Sequence, residues 1–246
     1  SYDTEEAFAY ARARHRHYVE DLKRYNVTAL EINEYGEITD ALMCIEKFYR
    51  RRLIFVSGSA HDFSPWGEQA VNAFFRNLGS ILIDNEFQIV SGFGLGVGNS
   101  LISGAIEKAY AKKNMRLDNF LQVRPFPRDI ADDAQRAEIW NKYRKDLLTL
   151  PGTALFFFGN KEAGGEIVSA DGVRKEFEIA QGQGVATVPV GATGSMALEL
   201  ADELLGKAET LSPVLRKAVE VLRQSVTDLN NLLQPTLDAV KALSSE

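Results

Sequence analysis

The stretch from Gln88 to Glu107, Q-I-V-S-G-F-G-L-G-V-G-N-S-L-I-S-G-A-I-E, constrains this chain more than any other. A short β-branched run, Ile89-Val90, leads into glycines at alternate positions, Gly92, Gly94, Gly96 and Gly98, with Phe93 between the first two. An apolar-periodic segment follows and ends near Tyr110. Glycine permits positive φ and lets bare N–H groups approach a ligand. A strand, a glycine loop and a helix N-terminus together form an anion site, because unpaired N–H groups and the helix dipole both favour a phosphate. The spacing is neither G-x-G-x-x-G nor G-x-x-x-x-G-K-[ST], so neither the dinucleotide fingerprint nor the P-loop is matched. A nucleotide-phosphate cradle and a plain strand-to-helix turn both remain open on this stretch alone.

The neighbouring blocks place the loop in an α/β frame. Leu53-Ile54-Phe55-Val56 reads as a buried strand and runs into Ser57-Gly58-Ser59, small residues at a strand's carboxyl end, where open α/β sheets hold ligands. The spacing predicts an amphipathic helix over 68–85 and strands over Phe120–Val123, Thr153–Phe158 and Val185–Val190. Further helices are expected over 137–150 and from Asp171 onward. Arg124-Pro125-Phe126-Pro127 fixes an extended exit from the third strand and puts Arg124 at the sheet edge. Gly159-Asn160-Lys161 and Gly164-Gly165 read as a loop after the fourth strand. The pattern predicts a Rossmann-like parallel sheet flanked by helices, with a C-terminal helical segment over 211–246 that Pro235 breaks in two. That segment packs on the core or forms a subunit contact.

Residues 1–51 read differently from 52–210. Helical spacing over Glu5–Arg24, strand-like alternation over Val27–Ile32 and helical spacing over Ile38–Phe48 make one unit that cannot cover both faces of a strand. The trailing end of a larger α/β domain is expected there, and Tyr2 is not a natural start, which fits a piece excised from a longer chain. The cluster Arg12, Arg14, His15, Arg16 and His17 reads as a solvated helix face, since Glu20 and Asp21 follow at once.

Charge and cysteine content narrow the class. A formal net charge of −6 argues against a general nucleic-acid binder, including a DNA-processing relative of this fold, because counterion release needs a concentrated basic face. Cys44 is the sole cysteine, so no intrachain disulfide or cysteine-built zinc site can form. No signal peptide is evident, and no apolar run approaches the roughly 18–20 residues of a membrane span. A cytoplasmic protein is expected.

Candidate chemistry gathers at the carboxyl edge. Arg144 and Lys161 are the cations the topology brings toward the glycine loop, a fork and a point charge of the kind a diphosphate takes; an ion pair with a nearby acid is the alternative for each. Glu176 is read in the first turn of its helix, where it caps the helix or accepts from ribose hydroxyls. Ser57 and Ser59 are placed to hydrogen-bond phosphate or ribose. His61 is the only histidine of the sheet region, and G-x-S-x-G is absent, so the crevice carries groups for binding and few for catalysis.

Taken together, Val56–Ser59, Ile89–Gly98, Arg124–Pro127, Phe158–Lys161, Asp171–Val173 with Lys175–Ala180, and Val188–Gly194 resemble the SLOG sensor domain. More narrowly, they look like the subtype joined to sirtuin-like or TIR effectors, as in the NAD-degrading effector of Thoeris anti-phage defence. The resemblance covers about residues 52–205 and is specific through its ordered blocks. It implies a domain that binds a cyclic ADP-ribose isomer and switches on a linked NADase, with no cofactor or metal and no catalytic residue in this piece. It carries ligand contacts onto Arg144, Lys161 and Glu176, with Ser57, Gly58, Ser59, Gly92, Phe93, Gly94, Gly96, Gly98 and Arg124 around them. It also implies a bacterial homo-oligomer, dimer or tetramer. Residues 1–51, including Tyr18–Leu22 and Glu31–Glu37, are similar to the end of a sirtuin-like domain. The related LOG phosphoribohydrolases carry P-G-G-x-G-T-x-x-E after the fourth strand; here Gly159-Asn160-Lys161 and a longer loop to Glu176 stand there, which favours sensing over hydrolysis of a nucleoside monophosphate.

Overall fold

A computed structural model of the chain describes residues 4–25, 27, 29, 30, 32, 34–112, 120–127 and 130–246. Contacts divide the chain into two units, Ser1–Glu46 and Lys47–Glu246. In the first, α1 (Glu5–Arg24) opens on Thr4, whose Oγ1 accepts from the Ala7 N–H at 3.3 Å. Glu5 and Glu6 in its first turn and Lys23 and Arg24 in its last suit the helix dipole. No described residue of α1 is buried. The strand expected over Val27–Ile32 does not form at Val27, Ala29, Leu30 or Ile32. Thr28 and Glu31 lie outside the described residues, as does Asn33. Alternation alone does not make a strand, because extended backbone needs a partner for its N–H and C=O groups, and the first unit offers none among its described residues. The second helix, α2 (Tyr35–Arg52), begins in the first unit and ends in the second.

The second unit holds the sheet. Its elements run β1 (Leu53–Ser59), α3 (Glu68–Asp84), β2 (Gln88–Ser91), α4 (Gly98–Ala111), β3 (Leu121–Val123), α5 (Asp133–Leu148) and β4 (Thr153–Phe158). A hairpin of β5 (Asn160–Ala163) and β6 (Glu166–Ser169) comes next, then α6 (Asp171–Gly182), β7 (Ala186–Pro189), α7 (Ser195–Leu205), α8 (Pro213–Leu222) and α9 (Leu233–Ser244). The main sheet has the order β3-β2-β1-β4-β7 and every pairing in it is parallel. Chain order therefore reverses between β1 and β4, and a crevice at their carboxyl ends is where such sheets place ligands.

Period-2 alternation explains the unbroken apolar strands. Ile54, Val56, Ile89, Leu155 and Phe157 join the core with α3, α4 and α9 residues, while Leu53, Phe55, Val90, Ala154 and Phe156 join a second core with residues of α5, α6 and α7. With both faces covered, the central strands carry unbroken apolar runs, Leu53–Val56 in β1 and Ala154–Phe158 in β4, in place of polar–apolar alternation. Phe74, Phe75 and Phe157 meet edge to face at 5.1–5.8 Å between ring centres.

Two sequence expectations change. Gly164-Gly165 is not an open loop but the two-residue turn of the β5–β6 hairpin, with φ of +65° and +86°. Two glycines at positive φ are what a tight hairpin of right-handed twist requires. At the C-terminus, Pro235 does not break the helical segment. It sits in the first turn of α9, where a missing N–H costs nothing, and the interruption falls earlier, between Leu222 and Leu229. There the Asp228 carboxylate accepts from the Asn230 N–H at 2.9 Å and starts a 3-10 turn over Leu229–Leu232. Leu222, Leu229, Leu232, Leu237 and Val240 are all buried in the sheet's own core, so the segment packs on the core.

Candidate functional site

A cleft of about 1440 Å³ opens at the carboxyl edge of the sheet. The end of β1 contributes Ser57, Gly58 and Ser59, and the loop after β2 contributes Gly92, Phe93 and Gly94. Phe126, Trp140 and Arg144 form another wall, and Lys161, Asp171 and Glu176 complete it. Gly96, Gly98 and Arg124 are not among its lining residues.

The glycine loop is shaped first by packing. A Cβ on Gly94 would run into the Gly58 carbonyl oxygen, so the loop lies directly on the end of β1. Gly96 has φ of +75°, and Gly98 is the first residue of α4. The Ala60 N–H donates to the Leu95 carbonyl at 3.1 Å, tying loop and strand together. Arg124 hydrogen-bonds through its backbone N–H to the Ser91 carbonyl at 3.0 Å, beside the edge strand β3.

Three side chains distant in sequence meet on the cleft floor. Ser57 Oγ donates to Glu176 Oε2 at 2.6 Å, and Arg144 Nε stands 3.4 Å from Glu176 Oε1. All three residues are buried. The Arg144 guanidinium also lies 4.9 Å from the centre of the Phe126 ring. At the mouth, Lys161 Nζ pairs with Asp171 Oδ2 at 2.8 Å, and that contact holds the Asp171 carboxyl below its usual range. Each cation thus lines the cleft and is already paired with a carboxylate, which is the ion-pair alternative for both Arg144 and Lys161. Ser59 is committed elsewhere: its hydroxyl donates to the Asn160 carbonyl at 3.0 Å.

Glu176 corrects the expectation that it caps its helix. The helix begins at Asp171, which supplies the acid of the first turn, and Glu176 stands one turn further in, turned inward to Ser57 and Arg144. Burial pushes its carboxyl above the ordinary range, with Ser57 and Arg144 opposing that rise. A carboxyl raised on folding contributes stability that is fully present below its unfolded pKa and is lost as pH rises through the folded value. Thermal unfolding from pH 5 to pH 8 is therefore expected to show Glu176→Gln gaining stability relative to the unsubstituted chain as pH rises. The opposite trend would mean that Arg144 outweighs burial.

Sequence reading did not single out Trp140, nor the ring of Phe126, nor the pairing of Lys161 with Asp171. The signal for Trp140 lay in its spacing, four residues before Arg144 on one helix. Among the described residues, no group of three or more His, Cys, Asp or Glu is arranged to hold a metal ion, and no helix is long and apolar enough to cross a membrane.

The family model of the Sir2- and TIR-associating SLOG family, STALD, matches residues 37–243. The chain belongs to the STALD family. The relatives of this STALD chain include an NAD(+) hydrolase ThsA of Acinetobacter baumannii, 38% identical over 98% of the chain and 52% of the relative. The ThsA of Bacillus cereus is 34% identical over 99% of the chain and 51% of its own length. The STALD chain thus spans about half the length of the curated relatives it matches. Among solved structures, a DNA processing protein A from Helicobacter pylori aligns over 78% of the chain and 83% of its own, at 14% identity and a TM-score of 0.41.

Proposed function

We propose that this chain is a regulatory domain that binds a cyclic ADP-ribose isomer and, when filled, activates a linked NAD-degrading effector domain in anti-phage defence. One observation carries the reading: Ser57, the glycine loop, Arg144, Lys161 and Glu176 line a single cleft at the point where strand order reverses. A diphosphate finds there a guanidinium fork, an ammonium and backbone N–H groups, and two riboses find carboxylate and hydroxyl acceptors. The volume is ample for such a ligand. The family's association with Sir2 and TIR partners and the NAD(+) hydrolase relatives support the effector half of the reading. In it, residues 1–51 are the end of a sirtuin-like domain, 52–210 the sensor and 211–246 its helical cover, in a cytoplasmic bacterial homo-oligomer. Activation requires that the ligand bind one arrangement of the domains more tightly than another.

Isothermal titration with a panel of cyclic ADP-ribose isomers tests this. At least one isomer is expected to bind, and Lys161→Ala is expected to weaken it about tenfold, the scale of a half-exposed charge contact to phosphate. No binding by any isomer would remove the proposal. Incubation of the chain with NAD is expected to release no nicotinamide.

A second reading, a nucleoside-monophosphate phosphoribohydrolase, draws on one feature: Glu176 is buried in the cleft with its carboxyl pushed up, as a general acid requires. Release of free base from AMP would favour it.

A further inference from the structure

Helix α5 turns one stripe toward the cleft. Arg136, Trp140 and Arg144 stand four residues apart in turn, which aligns them on one helix face, and all three line the cleft. The Arg136 and Arg144 guanidinium carbons lie 5.8 Å and 5.7 Å from the centre of the indole. Trp140 is held by its edge: Nε1 donates to the Pro127 carbonyl at 2.7 Å, and Phe126 meets it edge to face at 5.6 Å.

Neither aromatic ring serves a core. Trp140 and Phe126 belong to neither hydrophobic cluster of the sheet, and Trp140 is half-buried on the cleft wall among charged side chains. Large rings placed so, with the polar edge tied back, offer apolar area and a π-face to whatever enters. Phe126 is already occupied: Arg144 lies 4.9 Å from its centre, and its Cε2 sits where a Cβ on Gly92 would come within 2.7 Å. The guanidinium groups over the indole stand further off, at 5.8 Å and 5.7 Å, and the indole lines the cleft.

We propose that Trp140 is the residue on which the aromatic base of the ligand stacks, with Phe126 holding the indole in place and Arg144, one turn deeper, taking phosphate. This deepens the reading of the cleft as a nucleotide site and rests on it. Arg136 and Arg144, whose guanidinium groups now lie over the indole at 5.8 Å and 5.7 Å, give up the ring to the base as they turn to the ligand's phosphate. Base–aromatic stacking contributes about 1–3 kcal/mol by substitution, or roughly a 5- to 150-fold change in affinity.

The test uses the whole chain, a panel of cyclic ADP-ribose isomers, and two variants, Trp140→Leu and Trp140→Phe. Titration calorimetry is expected to show the leucine variant weakened about tenfold or more and the phenylalanine variant within about threefold, since phenylalanine keeps a π-face. Fluorescence gives an independent readout because the chain has only two tryptophans. Ligand is expected to quench emission of the unsubstituted chain, and the quench is expected to vanish in Trp140→Phe although binding persists. Unchanged affinity in Trp140→Leu, or equal loss in both variants, would overturn stacking and leave the nucleotide cleft standing. A quench that survives in Trp140→Phe would also overturn it. If the leucine variant does not fold, the phenylalanine variant and its quench decide. If no isomer binds the unsubstituted chain, the cleft reading and this inference fall together.

Discussion

Arg144→Ala is expected to weaken binding of a cyclic ADP-ribose isomer more than any other single change in the cleft. Arg144 is buried, pairs with Glu176 and lies over the Phe126 ring, so its charge is desolvated and its direction fixed before ligand arrives. Truncating one partner of a buried, hydrogen-bonded charge pair costs about 2–5 kcal/mol, which is roughly a thirtyfold to a thousandfold loss or more. Arg144→Lys is expected to recover only part of it, because an ammonium supplies the charge but neither the planar fork nor the stacking on Phe126. Titration calorimetry on both variants reads the effect, with thermal unfolding alongside. The fold is expected to survive, since Glu176, left alone, takes up a proton that burial already favours. An Arg144→Ala chain that binds as tightly as the original would detach the ligand from the cleft floor.

Gly94→Ala is expected to produce a large loss of stability. Its added Cβ would meet the Gly58 carbonyl oxygen, backbone against backbone, so no side chain can swing aside to relieve it. Overpacking of this kind costs about 1–3 kcal/mol and occasionally more, and in a chain of this size each kcal/mol lowers Tm by roughly 2–4 °C. A fall of about 2–12 °C is therefore expected by calorimetry, together with loss of ligand binding as the loop lifts off β1. Gly182→Ala is the matched control. A Cβ there meets nothing within 4 Å at the end of α6, and no loss of Tm is expected. Equal behaviour of the two variants would mean that the glycine loop does not depend on close approach.

The two predictions separate what the alternating glycines do. Read as a string, Gly92 to Gly98 promise bare N–H groups for a phosphate. In the folded chain Gly94 and Gly96 are needed first for contact with the β1 side of the sheet, where Gly94 packs on Gly58 and Gly96 on the Ala60 carbonyl. Cradle and packing turn are thus compatible: the packing holds Gly92, Phe93 and Gly94 at the cleft while Gly96 and Gly98 stand behind it.

The strands, most helices and the parallel architecture were legible in the chain because they rest on short-range signals. An unbroken apolar run such as Thr153–Phe158 marks a strand covered on both sides, and Thr153–Phe158 is the span of β4. The errors arose where a local rule depends on neighbours. Pro235 breaks a helix only past its first turn, and nothing nearby in sequence says where that turn begins. The strand expected over Val27–Ile32 needed a pairing partner.

By itself the sequence determined the sheet, its crossovers and the family, since periodicity, glycine spacing and ordered blocks act over a few residues at a time. Only the tertiary structure decided the chemistry of the cleft. Ser57 and Glu176 are 119 positions apart, and Arg144 and Glu176 are 32 apart. Their meeting depends on the strand order that sets β1 beside β4 and turns α6 inward. Burial of those polar groups has no period that a sequence displays, because it follows from which elements close over them and not from the residues on either side.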